Sequence, residues 1–253
     1  MMPQMWLAAI VRIVVEPTLR KIKFSYTTER MDLAGDQPCL ILMNHCSFTD
    51  MKLAYGIFYP RKMGIVTSVD AMTGILGKLM RLIGCTPTHK YVTDLSLFKD
   101  IEYMLKKNRT SVLMYPEAGY SFDGCATTLP KKLGILMKRL GVPVVTVITQ
   151  GAFHRDPLYN MLQIRDVKVS AHVKCIATAE EVKEKSVDEL DALLAESFSF
   201  DNFAWQRDNR ISIDVPFRAD GLHRILYKCP KCGAENRMEG KGIQLTCHAC
   251  EKQ

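Results

Sequence analysis

The chain has 253 residues, 47% of them hydrophobic and 24% charged, with a formal net charge of +7 and a pI near 8.9. That balance supports a buried core and excludes a disordered chain. The excess of cations suits anionic partners: membrane surfaces, acidic carrier proteins, phosphorylated metabolites or nucleic acid.

The first predicted element is the apolar run from Trp6 to Val15, interrupted by Arg12 and ended by Glu16-Pro17. A spanning helix needs about 20 apolar residues, so this run is too short to cross a bilayer. Arg12, Arg20, Lys21 and Lys23 lie within and beside it. Cations flanking a short apolar helix suit the plane of a membrane interface, so residues 1–30 are read as an interfacial amphipathic segment. The competing reading is a first helix packed on the core. No small-residue cleavage site follows the run, and no secretory signal is apparent. With nine cysteines and no such signal, a reducing compartment is expected, on the cytoplasmic face of a membrane.

Residues 31–225 are read as one domain. Leu40 to Met43, Gly64 to Thr67, Ser111 to Tyr115 and Val142 to Thr149 are continuous apolar runs bounded by Gly or Pro, the pattern of buried strands. Helical patterns lie between them. Ala71 to Ile83 puts Ile75, Leu79 and Leu82 on one face. Leu95 to Lys107 carries Phe98, Ile101 and Leu105, with Thr93 or Asp94 as the N-cap. Lys131 to Leu140 carries Leu133, Leu136, Met137 and Leu140, and stops at Gly141. Val167 to Ile176 alternates apolar and polar residues, which predicts an edge or antiparallel strand. Ser186 and Glu189 form a capping box ahead of a helix through Leu190, Leu193, Leu194 and Phe198. Strands alternating with helices predict an α/β domain with a mainly parallel twisted sheet flanked by helices. Asp201 to Ile225 shows no clear pattern.

The chemistry concentrates at Asn44-His45-Cys46-Ser47-Phe48-Thr49-Asp50, just beyond the first buried run. An imidazole takes a hydroxyl proton near neutral pH, and a carboxylate on its other nitrogen fixes the tautomer. On a continuous helix a five-residue offset is about 140° around the axis, so His45 must precede a helix that Asp50 enters. Ser47 or Thr49 would cap that helix. A histidine bonded to a nearby carboxylate for purely structural reasons has the same signature. A second strand end delivers Pro116-Glu117 and a turn through Gly119, and a third strand opens with Gly141-Val142-Pro143. Cys46 beside His45 offers a thiol nucleophile, although adjacent side chains usually point apart.

Asn44-His45-x-Ser47-x-x-Asp50, Tyr115-Pro116-Glu117 and Val142-Pro143-Val144-Val145 resemble three blocks of the glycerolipid acyltransferases, among them the 1-acylglycerol-3-phosphate acyltransferases. The resemblance spans roughly residues 35–150. It implies an O-acyltransferase of phospholipid biosynthesis. His45 would deprotonate an acceptor hydroxyl, which attacks the thioester of acyl-CoA or acyl carrier protein. Asp50 would orient His45. Asn44, Ser47, Glu117 and Gly119 would surround the acceptor, a lysophospholipid or other lipid alcohol, and Lys90, which with Gly84 falls where a fourth block has a glycine followed six residues later by arginine, would contact phosphate. One departure matters: the family continues Glu-Gly-Thr-Arg-Ser, whereas this chain reads Glu117-Ala118-Gly119-Tyr120-Ser121. Tyrosine makes no bidentate contact to phosphate, so that contact would fall to Lys90, Lys131 or Lys132.

Residues 226–253 carry the second signal. Cys229-Pro230-Lys231-Cys232 and Cys247-His248-Ala249-Cys250 form two Cys-x-x-Cys knuckles around a Gly240-Lys241-Gly242 turn. Four thiolates at this spacing close a tetrahedral Zn2+ site, and the segment resembles a zinc ribbon. A module so short needs the metal to fold. His248 is expected to stand aside. Glu235, Glu239 and Glu251 dilute the local cations, so nucleic acid is not an expected partner. The rival to acyl transfer is a zinc-ribbon binding protein on a degenerate scaffold.

Overall fold

The computed structural model describes residues 5–89 and 95–252. Seven strands make the main sheet: β1 (Ser25–Glu29), β2 (Leu40–Met43), β3 (Met63–Ser68), β4 (Cys85–Thr88), β5 (Ser111–Met114), β6 (Val144–Gln150) and β7 (Ser170–Ala177). Their spatial order is β1-β7-β6-β2-β5-β3-β4. All neighbours run parallel except β6 and β7. The sheet is therefore the mainly parallel one expected. The alternating strand is β7, antiparallel to β6 as predicted, but it is not an edge because β1 covers it.

The apolar runs have a simple physical reason. Ile41 and Met43 of β2 face one core cluster, while Leu40 and Leu42 face the other. A central strand buried on both faces carries no polar alternation. On the first side lie α1 (Met5–Lys21) and α3 (Asp50–Phe58), contributing Leu19, Leu53 and Phe58. On the other lie α5 (Leu95–Lys106), α6 (Leu133–Leu140) and α9 (Val187–Ser197), contributing Ile101, Leu105, Leu136, Leu140, Leu190 and Leu194. Gly141 ends α6 in the left-handed region, its N–H bonded to Met137 O. The capping box of Ser186 and Glu189 starts α9. The Thr93 or Asp94 cap of α5 lies outside the described residues.

Helix α1 has two apolar sides. Val15 and Leu19 are buried, and Leu19 packs so close to Gly56 of α3 that a Cβ there would meet it at 2.7 Å. Trp6, Ile10, Ile13 and Val14 face outward, Ile13 and Val14 being 72% and 70% exposed. Among the described residues no helix is long and apolar enough to cross a membrane. Helix α4 (Gly74–Leu82) also departs from expectation: Ile75, Leu79 and Leu82 share a face that points outward, while Met72 and Met80 meet the core.

The unpatterned stretch folds into α10 (Asn202–Asp208) and a loop. The tail forms a hairpin of β8 (Met238–Lys241) and β9 (Gln244–Cys247). The hairpin docks through Ala219 N–H to Gly242 O at 2.8 Å and Gly240 N–H to His223 Nδ1 at 3.0 Å. Asn160 holds that docking loop by donating to Phe217 O and Asp220 O at 3.0 and 2.7 Å.

Candidate active site and cysteine cluster

Three adjacent central strands, β6, β2 and β5, end on one rim of the sheet, the position where open α/β sheets collect ligands. His45 follows β2 by two residues, Glu117 follows β5 by three, and Asp156 follows β6 by six. Asp50 opens α3, as the five-residue offset required. His45 Nδ1 lies 2.9 Å from Asp50 Oδ2. The same oxygen accepts the backbone N–H groups of Cys46 at 2.8 Å and Ser47 at 3.0 Å. Asp50 is fully buried, and its Oδ1 has no hydrogen-bond partner among the described residues. A carboxylate so placed is held by its backbone donors and aimed at the imidazole. Thr49 stands at the helix N-cap without a side-chain cap bond; Ser47 Oγ accepts Thr49 N–H at 3.0 Å instead.

The His45 ring is stacked on both faces. The Tyr115 and Tyr120 rings sit 4.0 and 3.7 Å from it, centroid to centroid, at 20° and 27°. Two rings this close and nearly parallel cannot share one face. Phe48 stacks on the far side of Tyr120 at 4.7 Å. The imidazole is therefore reachable only in its own plane. Burial pushes the Tyr120 hydroxyl up to about 12 and raises that of Tyr115, so both rings stay neutral phenols.

Glu117 braces this loop. Its Oε1 accepts His45 N–H at 3.1 Å, and its Oε2 accepts Thr127 N–H and Oγ–H at 3.2 and 2.6 Å. Burial raises the Glu117 carboxyl, and the donors from Thr127 and His45 oppose that shift. His45 O in turn accepts Ser121 N–H at 2.7 Å.

Two of the expected substrate contacts are buried and bonded internally. Asn44 is fully buried, and its Oδ1 accepts Thr149 N–H and Oγ–H at 2.8 and 3.0 Å. Its Nδ2 lies 3.3 Å from Thr149 O and from Cys46 Sγ. It ties the end of β2 to β6 and has no face left for a ligand. Ser47 is buried too, donating to Asp156 Oδ1 at 2.6 Å. Gly119 lies half-buried in the turn after Glu117, beside Ala118 at a positive φ of 56°. Lys90 lies outside the described residues. Cys46 is buried, and its thiol is raised well above the ordinary range by burial first and by Asp50 and Glu117 next. A protonated, enclosed thiol is a packing residue, not a nucleophile.

Sequence reasoning missed Asp156, Thr127 and the stacking partners. The signal for Asp156 was available: it follows the end of a buried parallel strand, as His45 and Glu117 do. Burial pushes its carboxyl up to about 6, against the opposing effect of the Ser47 hydroxyl and with a further push from Asp50.

In the tail, the four sulfurs of Cys229, Cys232, Cys247 and Cys250 all lie within 4.8 Å of one another. Cys229 and Cys250 are 3.7 Å apart, and Cys232 and Cys247 3.8 Å. A tetrahedron with metal–sulfur bonds of about 2.3 Å has edges of about 3.8 Å. The donor set and its spacing therefore fit a tetrahedral thiolate-bound metal. His248 stands aside as expected, paired with Glu239 at 2.9 Å.

A family model described as Acyltransferase matches residues 21–150, a span that holds His45, Asp50, Glu117 and Tyr120. Among solved structures, the chain is similar to the crystal structure of the 1-acyl-sn-glycerophosphate (LPA) acyltransferase, PlsC, from Thermotoga maritima. The match has a TM-score of 0.63 at 16% identity and covers 83% of this chain and 82% of that one. At that identity the likeness is one of fold. Comparison with curated proteins gave no match.

Proposed function

Because the chain belongs to the acyltransferase family, we propose that His45 is the general base of an O-acyl transfer. The fatty acyl group moves from acyl-CoA or acyl carrier protein to a hydroxyl of a lysophospholipid-type acceptor such as 1-acylglycerol-3-phosphate. The observation that carries this reading is the 2.9 Å contact between His45 Nδ1 and the buried Asp50 carboxylate at a strand end. Asp50 keeps the ring proton on Nδ1, which makes Nε2 the basic nitrogen. Nε2 takes the acceptor hydroxyl proton as the oxygen attacks the thioester carbonyl. Collapse of the tetrahedral adduct breaks the C–S bond, and the leaving thiolate recovers the proton from the imidazolium. The acyl group passes directly to the substrate oxygen, so no enzyme nucleophile is required, in keeping with the buried Cys46 thiol. Asp50 holds the imidazolium that forms in between. The stacked Tyr115 and Tyr120 rings fix the plane in which Nε2 meets its substrate.

Zn2+ is the metal that best suits four cysteines, and its role here is structural: four thiolates leave no position open for substrate. The outward stripe of Trp6, Ile10, Ile13 and Val14, with Arg20 and Lys21 in the last turn of α1, supports peripheral attachment to the cytoplasmic face of a membrane.

The decisive experiment measures transfer of a radiolabelled acyl group from a thioester to a panel of lysophospholipids and lipid alcohols. Replacing His45→Ala should lower kcat by roughly 10²–10⁴-fold at a temperature where thermal unfolding shows the variant to be folded. Equal turnover in the variant would remove His45 from the mechanism.

A further inference from the structure

A cleft of about 510 Å³ lies beside the candidate active site, between the loop after Glu117 and helix α9. Leu129, Leu194 and Phe198 give it apolar walls, and Lys131 and Lys132 stand along it, both exposed. Its volume falls in the ordinary range for small-molecule pockets, about 300–1,000 Å³. One wall is Thr127, the residue whose N–H and hydroxyl hold Glu117, which in turn holds the His45 backbone. The cleft is thus separated from the catalytic loop by a single carboxylate bridge. The acidic group in its lining, Asp191, is already engaged: it accepts Gly134 N–H at 2.7 Å in the first turn of α6. It leaves the two ammonium groups available to an external anion. Tyr120, at the position where the resembling family has arginine, is a neutral ring pressed between His45 and Phe48.

We infer that this cleft binds the phosphate-bearing, amphiphilic part of a substrate, its apolar stretch along Leu129, Leu194 and Phe198 and its phosphate at Lys131 and Lys132. The inference rests on the acyl-transfer reading for its context and deepens it. A phosphate on a molecule that also carries an apolar acyl chain occurs in two substrates of such a reaction: the pantetheine-bearing thioester donor and a lysophospholipid acceptor. Lysine ammonium groups suit either as point charges on phosphate.

The two sources separate kinetically. In Lys131→Gln/Lys132→Gln, KM is measured for acyl-CoA at saturating lysophosphatidic acid, then for lysophosphatidic acid at saturating acyl-CoA. A rise of about tenfold in one KM, with kcat within about twofold, assigns the cleft to that substrate, because losing contacts made equally in the ground and transition states raises KM alone. Ala195→Trp, at an exposed position of α9 in the same lining, should fill the cleft and raise the same KM. Lys106→Gln, on α5 outside the cleft, should leave both constants unchanged. Unchanged constants in the double-lysine and tryptophan variants, or an equal rise in Lys106→Gln, would overturn the inference. Calorimetric titration of CoA and of monomeric lysophosphatidic acid against the wild type and Ala195→Trp decides the matter without catalysis. If binding is lost in the variant while no acyl transfer is found in any protein, the cleft stands and the enzymatic reading falls.

Discussion

The middle of the chain and its two ends solve their polar and apolar problems differently. Around His45 nearly all the buried polar side chains are answered from within, Asp50 Oδ1 being an exception. Asp50 is met by three donors, Glu117 by His45 and Thr127, Asn44 by Thr149, and Ser47 by Asp156. At the ends the protein leaves chemistry unanswered. Four thiol groups converge in the small tail hairpin, and one side of α1 shows Ile10, Ile13 and Val14 to the outside. The contrast teaches where external partners enter. On our reading the centre, preorganised by the sheet, takes up only substrate, whereas the ends take up a metal and a lipid surface.

The largest expected effect that would sharpen this contrast lies in the tail. Structural Zn2+ sites contribute on the order of 10 kcal/mol to the folding of modules this small. Cys247→Ser, or stripping of the metal by a chelator, should abolish slow amide exchange across Met238–Lys241 and Gln244–Cys247. Protection of the central strands Leu40–Met43 and Val144–Gln150 should persist. Equal hairpin protection with and without metal would show that the tail, like the centre, is answered from within.

A smaller effect is expected at the other end. Because one side of α1 packs on α3, deleting the helix would damage the fold, and point changes on the outward side are the cleaner probe. Ile13→Lys combined with Val14→Glu leaves net charge unchanged and removes two apolar residues exposed by 72% and 70%. At about 1.5 kcal/mol or more per buried side chain, the pair should weaken partition onto vesicles of mixed neutral and anionic lipid at least tenfold. Co-sedimentation with such vesicles checks this, and undiminished binding would leave the outward stripe without its proposed partner.

The same contrast explains what the sequence made legible. His45 and Asp50 are five residues apart, and the buried runs around them are unbroken, so motif and strand could be read together. Thr149 and Asp156 meet Asn44 and Ser47 from 105 and 109 residues away, and Thr127 enters through Glu117, 72 residues from His45, so no local pattern announces them. Asn44 and Ser47 sit inside the motif, and their burial lets them brace the loop through Thr149 and Asp156. Strand β1 was missed because Ser25 to Glu29 is exposed throughout and carries no apolar rhythm. Helix α4 shows the limit of periodicity: spacing puts Ile75, Leu79 and Leu82 on one face without saying whether that face turns inward. The tail knuckles were legible for the opposite reason, since metal geometry imposes its spacing locally.

The smallest expected effect tests whether the centre is as fully answered as its hydrogen bonds imply. Asp156 is buried beside Ser47 and within reach of the Asp50 charge, and its carboxyl is pushed up from 3.8 to about 6. In the unfolded chain it returns to the ordinary range, so between about pH 4 and 6 the folded protein holds the additional proton. By linkage its contribution to stability is full below pH 4 and declines as pH rises through 6. At 1.36 kcal/mol per pKa unit, and with allowance for its partial solvation, the decline is on the order of 2 kcal/mol. Asp156→Asn keeps an oxygen for the Ser47 hydroxyl and carries no titrating proton. Thermal unfolding at pH 4, 5, 6 and 7 should show the variant gaining on the wild type across that window and holding the gain above it. Parallel curves would mean that Asp156 ionises without cost, and that the rim of the sheet carries no electrostatic strain at the mouth of the site.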